Sequence, residues 1–242
     1  YAAIADGGQY RRPVFYTKVT DSKGNVLIDN TENKATQVFK ASTASLLTNA
    51  MEDVLEKGTG VAARLDNMHA AGKTGTTSNN YDYWFSGYTP YHTASVWMGY
   101  DNNTNFSSDN THKKMWAKIM NAIIKAKNEK PKDFSKPSNI VKAKICKESG
   151  KLAIKGVCDH DPRGNCVITE YFKKGTVPKQ TCDTHVAVEI CKKTDKLANK
   201  KCPKSERIKK VYIVRKKGSH GKTADTKYLL PKKYLSSFCT MH

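Results

Sequence analysis

Between Met68 and Asp101 three β-prone runs, Met68 to Thr76, Tyr83 to Tyr88 and His92 to Gly99, are joined by the short connections Thr77 to Asp82 and Thr89-Pro90-Tyr91. Parallel neighbours need a crossover of a dozen or more residues, so connections this short and turn-rich commit the three runs to an antiparallel meander. Such a sheet needs a layer over its apolar face. Residues 113 to 127 supply one, with Met115, Trp116, Ile119, Met120, Ile123 and Ile124 at helical spacing and lysines on the other face. A second helix is expected from a Ser42 cap through Leu46, Leu47, Ala50, Met51, Val54 and Leu55 to a stop at Gly58-Thr59-Gly60. Upstream, Pro13 to Val19 and Val26 to Asp29 flank Asp21-Ser22-Lys23-Gly24-Asn25 as a hairpin, and Tyr1 to Ala5 reads as the last turns of a helix stopped at Gly7-Gly8. The expected class is α+β, an antiparallel sheet covered by helices.

Charge divides the chain. Up to His112 there are nine Lys and Arg against eleven Asp and Glu; from Lys113 onward there are 33 against eleven, and that half holds all seven cysteines. A boundary is therefore expected near 113 to 145, with 1–130 as one domain and 131–242 as a basic, cysteine-containing extension. Within the extension, Ile145-Cys146-Lys147 through Leu152-Ala153 and Cys158 is echoed 45 residues later by Ile190-Cys191-Lys192 through Leu197-Ala198 and Cys202. The echo suggests two small related units, about 140–186 and 187–242. No apolar run reaches the roughly 20 residues that span a bilayer.

The stretch Ala70-Ala71-Gly72-Lys73-Thr74-Gly75-Thr76-Thr77 places a cation, hydroxyls and a bare backbone position together. On a strand, side chains alternate, so Lys73 and Gly75 share one face and Thr74 and Thr76 the other. Gly75 removes the side chain where another extended chain could lie close and add by main-chain hydrogen bonds. The ammonium and threonine hydroxyls can hold a carboxylate, and the amide after Gly75 is a candidate oxyanion donor.

Gly58-Thr59-Gly60, then Ala71 to Thr77, then Tyr81-Asp82-Tyr83-Trp84-Phe85-Ser86-Gly87-Tyr88-Thr89-Pro90, then Val96-Trp97-Met98-Gly99-Tyr100-Asp101, in that order and spacing, resemble the C-terminal half of a penicillin-binding transpeptidase domain of the bifunctional class A type. The resemblance covers roughly the first 125 residues; Phe134 to His185 more loosely resembles tails that follow that domain. It implies a fold like that of the serine β-lactamases, present only as its C-terminal part, with a glycosyltransferase domain upstream. The family acts through a nucleophilic Ser-x-x-Lys, a Ser-x-Asn and the Lys-Thr-Gly. By resemblance, Lys73, Thr74, Gly75, Thr76 and Thr77 bind substrate, Lys73 belongs to the catalytic set, and the Thr76 backbone N–H completes an oxyanion hole. The nucleophilic serine and the second motif are expected upstream of Tyr1. Ser219-His220-Gly221-Lys222 fits the first pattern only by letter, among lysines and glycines, and Ser78-Asn79-Asn80 and Ser108-Asp109-Asn110 read as loops.

The implied activity is a peptidoglycan D,D-transpeptidase acting on the D-Ala-D-Ala terminus of stem peptides and acylated by β-lactams, at the extracellular face of the bacterial cytoplasmic membrane, with the anchor upstream. The fragment alone is expected to be inactive. No cofactor is expected. Cys182-x-x-His185 with Cys166 and His160 could offer metal ligands, but the Cys158-x7-Cys166 and Cys166-x15-Cys182 spacings match no familiar zinc pattern, so no metal is expected. In the compartment the resemblance implies, disulfides are favoured; the echo would pair Cys146 with Cys158, Cys191 with Cys202, and also Cys166 with Cys182, leaving Cys239 odd. Aromatics are sparse among Lys200-Lys201, Lys209-Lys210 and Arg215-Lys216-Lys217 and no known nucleic-acid fold is evident, which argues against nucleic acid and for anionic wall polymers or the membrane surface as partner. A D,D-carboxypeptidase or β-lactamase shares the third motif, and a non-catalytic wall-binding protein would use the tail alone.

Overall fold

The computed structural model describes residues 1–214 and 223–242, in two compact units, Tyr1–Ile140 and Val141–His242. Ser219 to Lys222 and Arg215-Lys216-Lys217 lie outside the described residues.

The first unit runs α1 (Ala2–Ala5), β1 (Gln9–Tyr10), β2 (Lys18–Thr20), β3 (Val26–Asp29), β4 (Thr36–Gln37), α2 (Ala41–Glu56), β5 (Ala71–Thr76), β6 (Asp82–Tyr88), β7 (Thr93–Gly99) and α3 (Thr111–Ala126). The expected meander is a three-stranded antiparallel sheet in the order β5-β6-β7. Met68 to Ala70 precede the first strand rather than belonging to it. The other strands of this unit form only two-stranded pairs, β1 with β4 and β2 with β3, so the described sheet is smaller than the central sheet the resemblance implied. The architecture is mixed α/β.

Register sorts the sheet's faces. Thr74, Phe85 and Val96 lie opposite one another, as do Gly75, Trp84 and Trp97, and Lys73, Ser86 and Ser95. The first row faces the core, where Phe85 packs with Leu55 of α2, Ala63, and Trp116, Ala117 and Met120 of α3. Phe85 and Trp116 meet edge to face at 5.0 Å, and the Trp116 indole N–H donates to the Ala94 carbonyl at 3.0 Å. Two glycines let the layers close: a Cβ on Gly87 would come within 2.8 Å of Trp116 Cζ2, and one on Gly72 within 2.7 Å of Phe85 Cζ.

Two helix expectations need correction. Ser42 does not cap α2: Lys40 occupies the N-cap without a side-chain bond, and Ser42 is buried inside the first turn. Only half of the apolar stripe on α3 is core. Trp116 and Met120 are fully buried, but Met115 and Ile119 are 53% and 40% exposed. Periodicity marks an apolar arc; what covers each part of it depends on the neighbours present.

Beside α2, Tyr88 is buried against Met51 and Ala71 and its hydroxyl bonds Thr48 Oγ1 at 2.8 Å; burial pushes the phenol up to about 12. Burial also raises Glu52, against the opposing influence of Asn49, Lys136 and His69. A carboxyl raised on folding favours the folded state below its unfolded value and loses that contribution as pH rises through the folded value. Glu52→Gln is therefore expected to raise the melting temperature at pH 7 to 8, with the gain vanishing near the ordinary value of 4.5. Equal melting temperatures at pH 8 would contradict this.

The second unit holds β8 (Ile140–Cys146), β9 (Val167–Lys173), β10 (His185–Cys191), β11 (Lys196–Leu197), β12 (Arg207–Ile213) and α4 (Lys233–Ser236). β8 pairs with β9, and β10 lies between β11 and β12. Among the described residues its buried apolar side chains other than cysteine are Ile145, Val157, Ile190, Ile213 and Tyr234. The buried clusters are built around Cys146, Cys158, Cys166 and Cys182, and around Cys191, Cys202 and Cys239.

Candidate active site

β5 is an edge strand of its sheet among the described residues, bonded to β6 on one side. The Thr77 N–H donates to the Asp82 carbonyl at 3.1 Å. Successive residues of a strand send their N–H and C=O to alternate sides, so the amides of Thr76 and Thr74 point to the unpaired edge. The Lys73 side chain agrees with this assignment: its Nζ lies 3.1 Å from the Thr74 carbonyl oxygen and 3.2 Å from Thr74 Oγ1. Although Lys73 and Thr74 start on opposite faces, the long lysine stem curls over the edge and brings ammonium and hydroxyl together.

Around that pair the site is held from two directions. Thr59, in the turn after α2, bonds Thr74 Oγ1 through its own hydroxyl at 2.9 Å, and Lys113 Nζ at the start of α3 donates to the Thr59 carbonyl at 2.9 Å. Burial lowers the Lys113 ammonium from its ordinary value. In the sequence, Gly58-Thr59-Gly60 reads only as a helix stop and as part of the resemblance. The position of Thr59 beside Thr74 follows from the helix's return to the sheet, which no local pattern encodes.

At the strand's far end, Thr77 Oγ1 donates to Asp82 Oδ2 at 3.1 Å and accepts from the Asp82 N–H at 2.9 Å. Thr77 thus closes the turn between β5 and β6. Asp82 is fixed in turn by the Trp97 indole N–H at 2.9 Å. Gly75 lies against Trp84, whose Cβ would be 3.2 Å from an added Cβ, and Trp84 and Trp97 remain 44% exposed. A strip of aromatic surface therefore flanks the strand on the Lys73 face.

The two Ser-x-Asn look-alikes are loops. Ser78-Asn79-Asn80 forms a single 3-10 turn with left-handed Asn79 and Asn80, and Ser108 accepts from the Thr111 N–H through its carbonyl at the start of α3. What the edge can do chemically is bind: an extended segment can pair with β5, its carboxylate meeting Lys73 and the threonine hydroxyls.

Residues 1–125 match the family described as penicillin binding protein transpeptidase domain, and residues 136–187 match that described as penicillin-binding protein 1A, C-terminal domain. Over 96% of its length the chain is 35% identical to penicillin-binding protein 1A of Clostridium botulinum (strain Langeland), covering 28% of that protein. Over 86% of its length it is 34% identical to penicillin-binding protein 2D of Bacillus subtilis (strain 168), covering 30% of it. The crystal structure of penicillin-binding protein 1A from Haemophilus influenzae aligns with 75% of this chain and 32% of its own at a TM-score of 0.57 and 21% identity, a likeness of fold. The chain thus spans less than a third of the length of these curated relatives. With the transpeptidase match running over the whole sheet, both covering helices and the edge strand itself, the chain belongs to the penicillin-binding protein transpeptidase family.

Proposed function

We propose that this chain is the C-terminal part of a class A peptidoglycan D,D-transpeptidase, and that β5 is the strand on which the substrate docks. The observation that carries the reading is the open edge of β5, with the Lys73 ammonium and Thr74 hydroxyl gathered there. In the reaction, a serine hydroxyl attacks the penultimate D-Ala carbonyl of a stem peptide, the terminal D-Ala leaves, and a neighbouring amine takes the acyl group. Lys73, Thr74 and Thr76 hold the terminal carboxylate, or the equivalent carboxylate of a β-lactam. Gly75 lets the peptide backbone approach. The Thr76 N–H donates to the oxygen that gains charge, where a preorganised donor acts in the transition state more than in the ground state. Thr59 and Lys113 are positioning residues, and Thr77 anchors the end of the strand.

The nucleophile comes from sequence upstream of Tyr1 in the longer protein, which also supplies the membrane anchor and places the domain outside the cell. No helix among the described residues is long and apolar enough to cross a membrane. The exposed apolar side chains Met115, Ile119, Trp84 and Trp97 are surface on which the rest of the transpeptidase domain packs. The basic extension, including exposed Lys200, Lys201, Lys209 and Lys210, contacts anionic wall polymers or the membrane surface.

The test is acylation. The isolated 242-residue chain is expected to take up no fluorescent penicillin under conditions where the full-length protein is labelled. Stoichiometric labelling of the isolated chain would overturn the assignment of the nucleophile to another part of the protein.

A further inference from the structure

In the second unit, none of the expected disulfide pairs is bonded: all seven cysteines are buried free thiols. They converge in a different grouping. One ligand atom each from Cys146, Cys158, Cys182 and His185 lie within 4.8 Å of one another, and Cys191, Cys202, Cys239 and His242 form a second such group. We propose that each group is a closed Cys3His site for a structural zinc ion, so that the unit binds two.

Four arguments support the proposal. The first is geometric. A tetrahedral zinc with Zn–S of about 2.3 Å and Zn–N of about 2.0–2.1 Å places its ligand atoms about 3.5–3.8 Å apart. His185 Nδ1 is 3.4 Å from Cys146 Sγ and 3.3 Å from Cys182 Sγ. The second is the number of thiols. Each group contains three, and disulfide pairing within a group of three always leaves one over.

The third is the surroundings of His185, whose side chain is fully buried. Its Nε2 lies 2.5 Å from Asp161 Oδ2. A carboxylate only accepts, so Nε2 carries the proton and Nδ1 directs its lone pair at the sulfurs. A carboxylate behind a histidine ring is the usual support of a metal-bound imidazole. Asp161 is itself held by Arg163, through Nη2 at 2.8 Å and the backbone N–H at 2.7 Å, and it accepts from Cys166 Sγ at 3.1 Å. That contact places Cys166 behind the site, and the exposed His160 pairs with Asp159 instead. The set Cys166, Cys182, His160 and His185 read from the sequence is therefore half replaced by Cys146 and Cys158.

The fourth is repetition. Cys182-Asp183-Thr184-His185 recurs as Cys239-Thr240-Met241-His242, beyond the echo already noted between the Cys146 and Cys191 segments. The backbone repeats as well. After Cys146 a turn closes with the Gly150 N–H on the Cys146 carbonyl at 2.9 Å, and after Cys191 with the Asp195 N–H on the Cys191 carbonyl at 2.9 Å. Both closing residues are left-handed, at φ 67° and 49°. Backbone N–H groups reach sulfur in the first site, from Ile154 to Cys158 and from Thr184 to Cys182. In the second site, Asn199 ties the ligand segments together, accepting from the Cys202 N–H and donating to the carbonyls of Cys239 and His242. His242 Nε2 is buried without a hydrogen-bond partner among the described residues. β10 joins the two sites, beginning at His185 and ending at Cys191.

Zinc is favoured over other divalent metals by three thiolates and one imidazole in a closed tetrahedral arrangement. Binding releases the thiol protons to solvent. The ion then adds to the small apolar core of this lysine-rich unit, in which Ile145, Val157, Ile190, Ile213 and Tyr234 are buried.

The 242-residue chain, purified without chelator and in the presence of zinc, is expected to carry about two zinc ions by elemental analysis. Its denatured, non-reduced mass should equal its reduced mass. After zinc removal, cobalt(II) should restore the sites with the visible absorption of tetrahedral thiolate coordination. Cys182→Ser and Cys239→Ser should each lower the content to about one, whereas Cys166→Ser should keep both. Asp161→Asn should weaken the first site about 10- to 100-fold and leave the second unchanged. Should Cys182→Ser not fold, the content of wild type and of Cys239→Ser decides. A zinc-free chain whose mass is short by two hydrogens per bond would overturn the proposal in favour of disulfides, as would equal zinc loss from Cys166→Ser and Cys182→Ser.

Discussion

Lys73→Ala in the full-length protein is expected to slow acylation by a labelled penicillin about 10- to 100-fold. The ammonium lies on the unpaired edge of β5, 3.1 Å from the Thr74 carbonyl and 3.2 Å from its hydroxyl, where an incoming carboxylate would meet both groups. A hydrogen bond to a charged partner contributes about 1.5–3 kcal/mol, and about 1.4 kcal/mol is a factor of ten in rate. Lys73 is exposed and lies in the row with Ser86 and Ser95, on the sheet face opposite Phe85, so its removal should change stability by less than about 0.5 kcal/mol. Melting temperature and acylation rate therefore separate a docking role from a structural one. Thr59→Val, which removes the 2.9 Å bond that steadies Thr74, should slow acylation less, by the roughly 1 kcal/mol of one neutral hydrogen bond. If Lys73→Ala reacts at the wild-type rate, the substrate carboxylate docks elsewhere.

The meander was legible because two connections of a few residues leave antiparallel pairing as the one option, and the face-sharing of Lys73 with Gly75 followed from strand alternation. The closeness of Lys73 Nζ to Thr74 Oγ1 was not legible, since alternation puts those side chains apart and only the reach of a four-carbon stem around an open edge reunites them. Met115 and Ile119 illustrate a different limit. Their spacing identifies an apolar arc on α3, but a periodicity carries no record of which neighbours cover it. The cysteines show the limit most plainly. The local echo brought Cys146 near Cys158 and Cys191 near Cys202, yet each third sulfur comes from more than 20 residues further along the chain. The repeated Cys-x-x-His at 182–185 and 239–242 was the available signal, because two copies of a ligand pair in two related segments point to one ligand set used twice.

Trp116→Ala should give the largest loss of stability in the first unit, about 3–5 kcal/mol by the usual cost of emptying a buried aromatic site. Trp116 is fully buried, joins α3 to β6 through Phe85, and donates to the Ala94 carbonyl of β7, so one side chain links the helix to two strands. Trp116→Phe keeps much of the apolar contact but removes the indole hydrogen bond to that carbonyl and should fall between wild type and alanine. Gly87 provides the sharper test. A Cβ there would lie 2.8 Å from Trp116 Cζ2, but also 2.9 Å from Phe85 Cε1 and 3.1 Å from the Ala71 carbonyl. Gly87→Ala should therefore destabilise by overpacking. Combined with Trp116→Ala, it should cost less than the sum of the two, because the closest of its three clashes is gone; contacting residues commonly couple by about 0.5–3 kcal/mol. Urea unfolding followed by circular dichroism measures all four variants. Strict additivity would mean that the indole does not set the spacing between α3 and the sheet, and a Trp116→Ala midpoint equal to wild type would remove Trp116 from the core altogether.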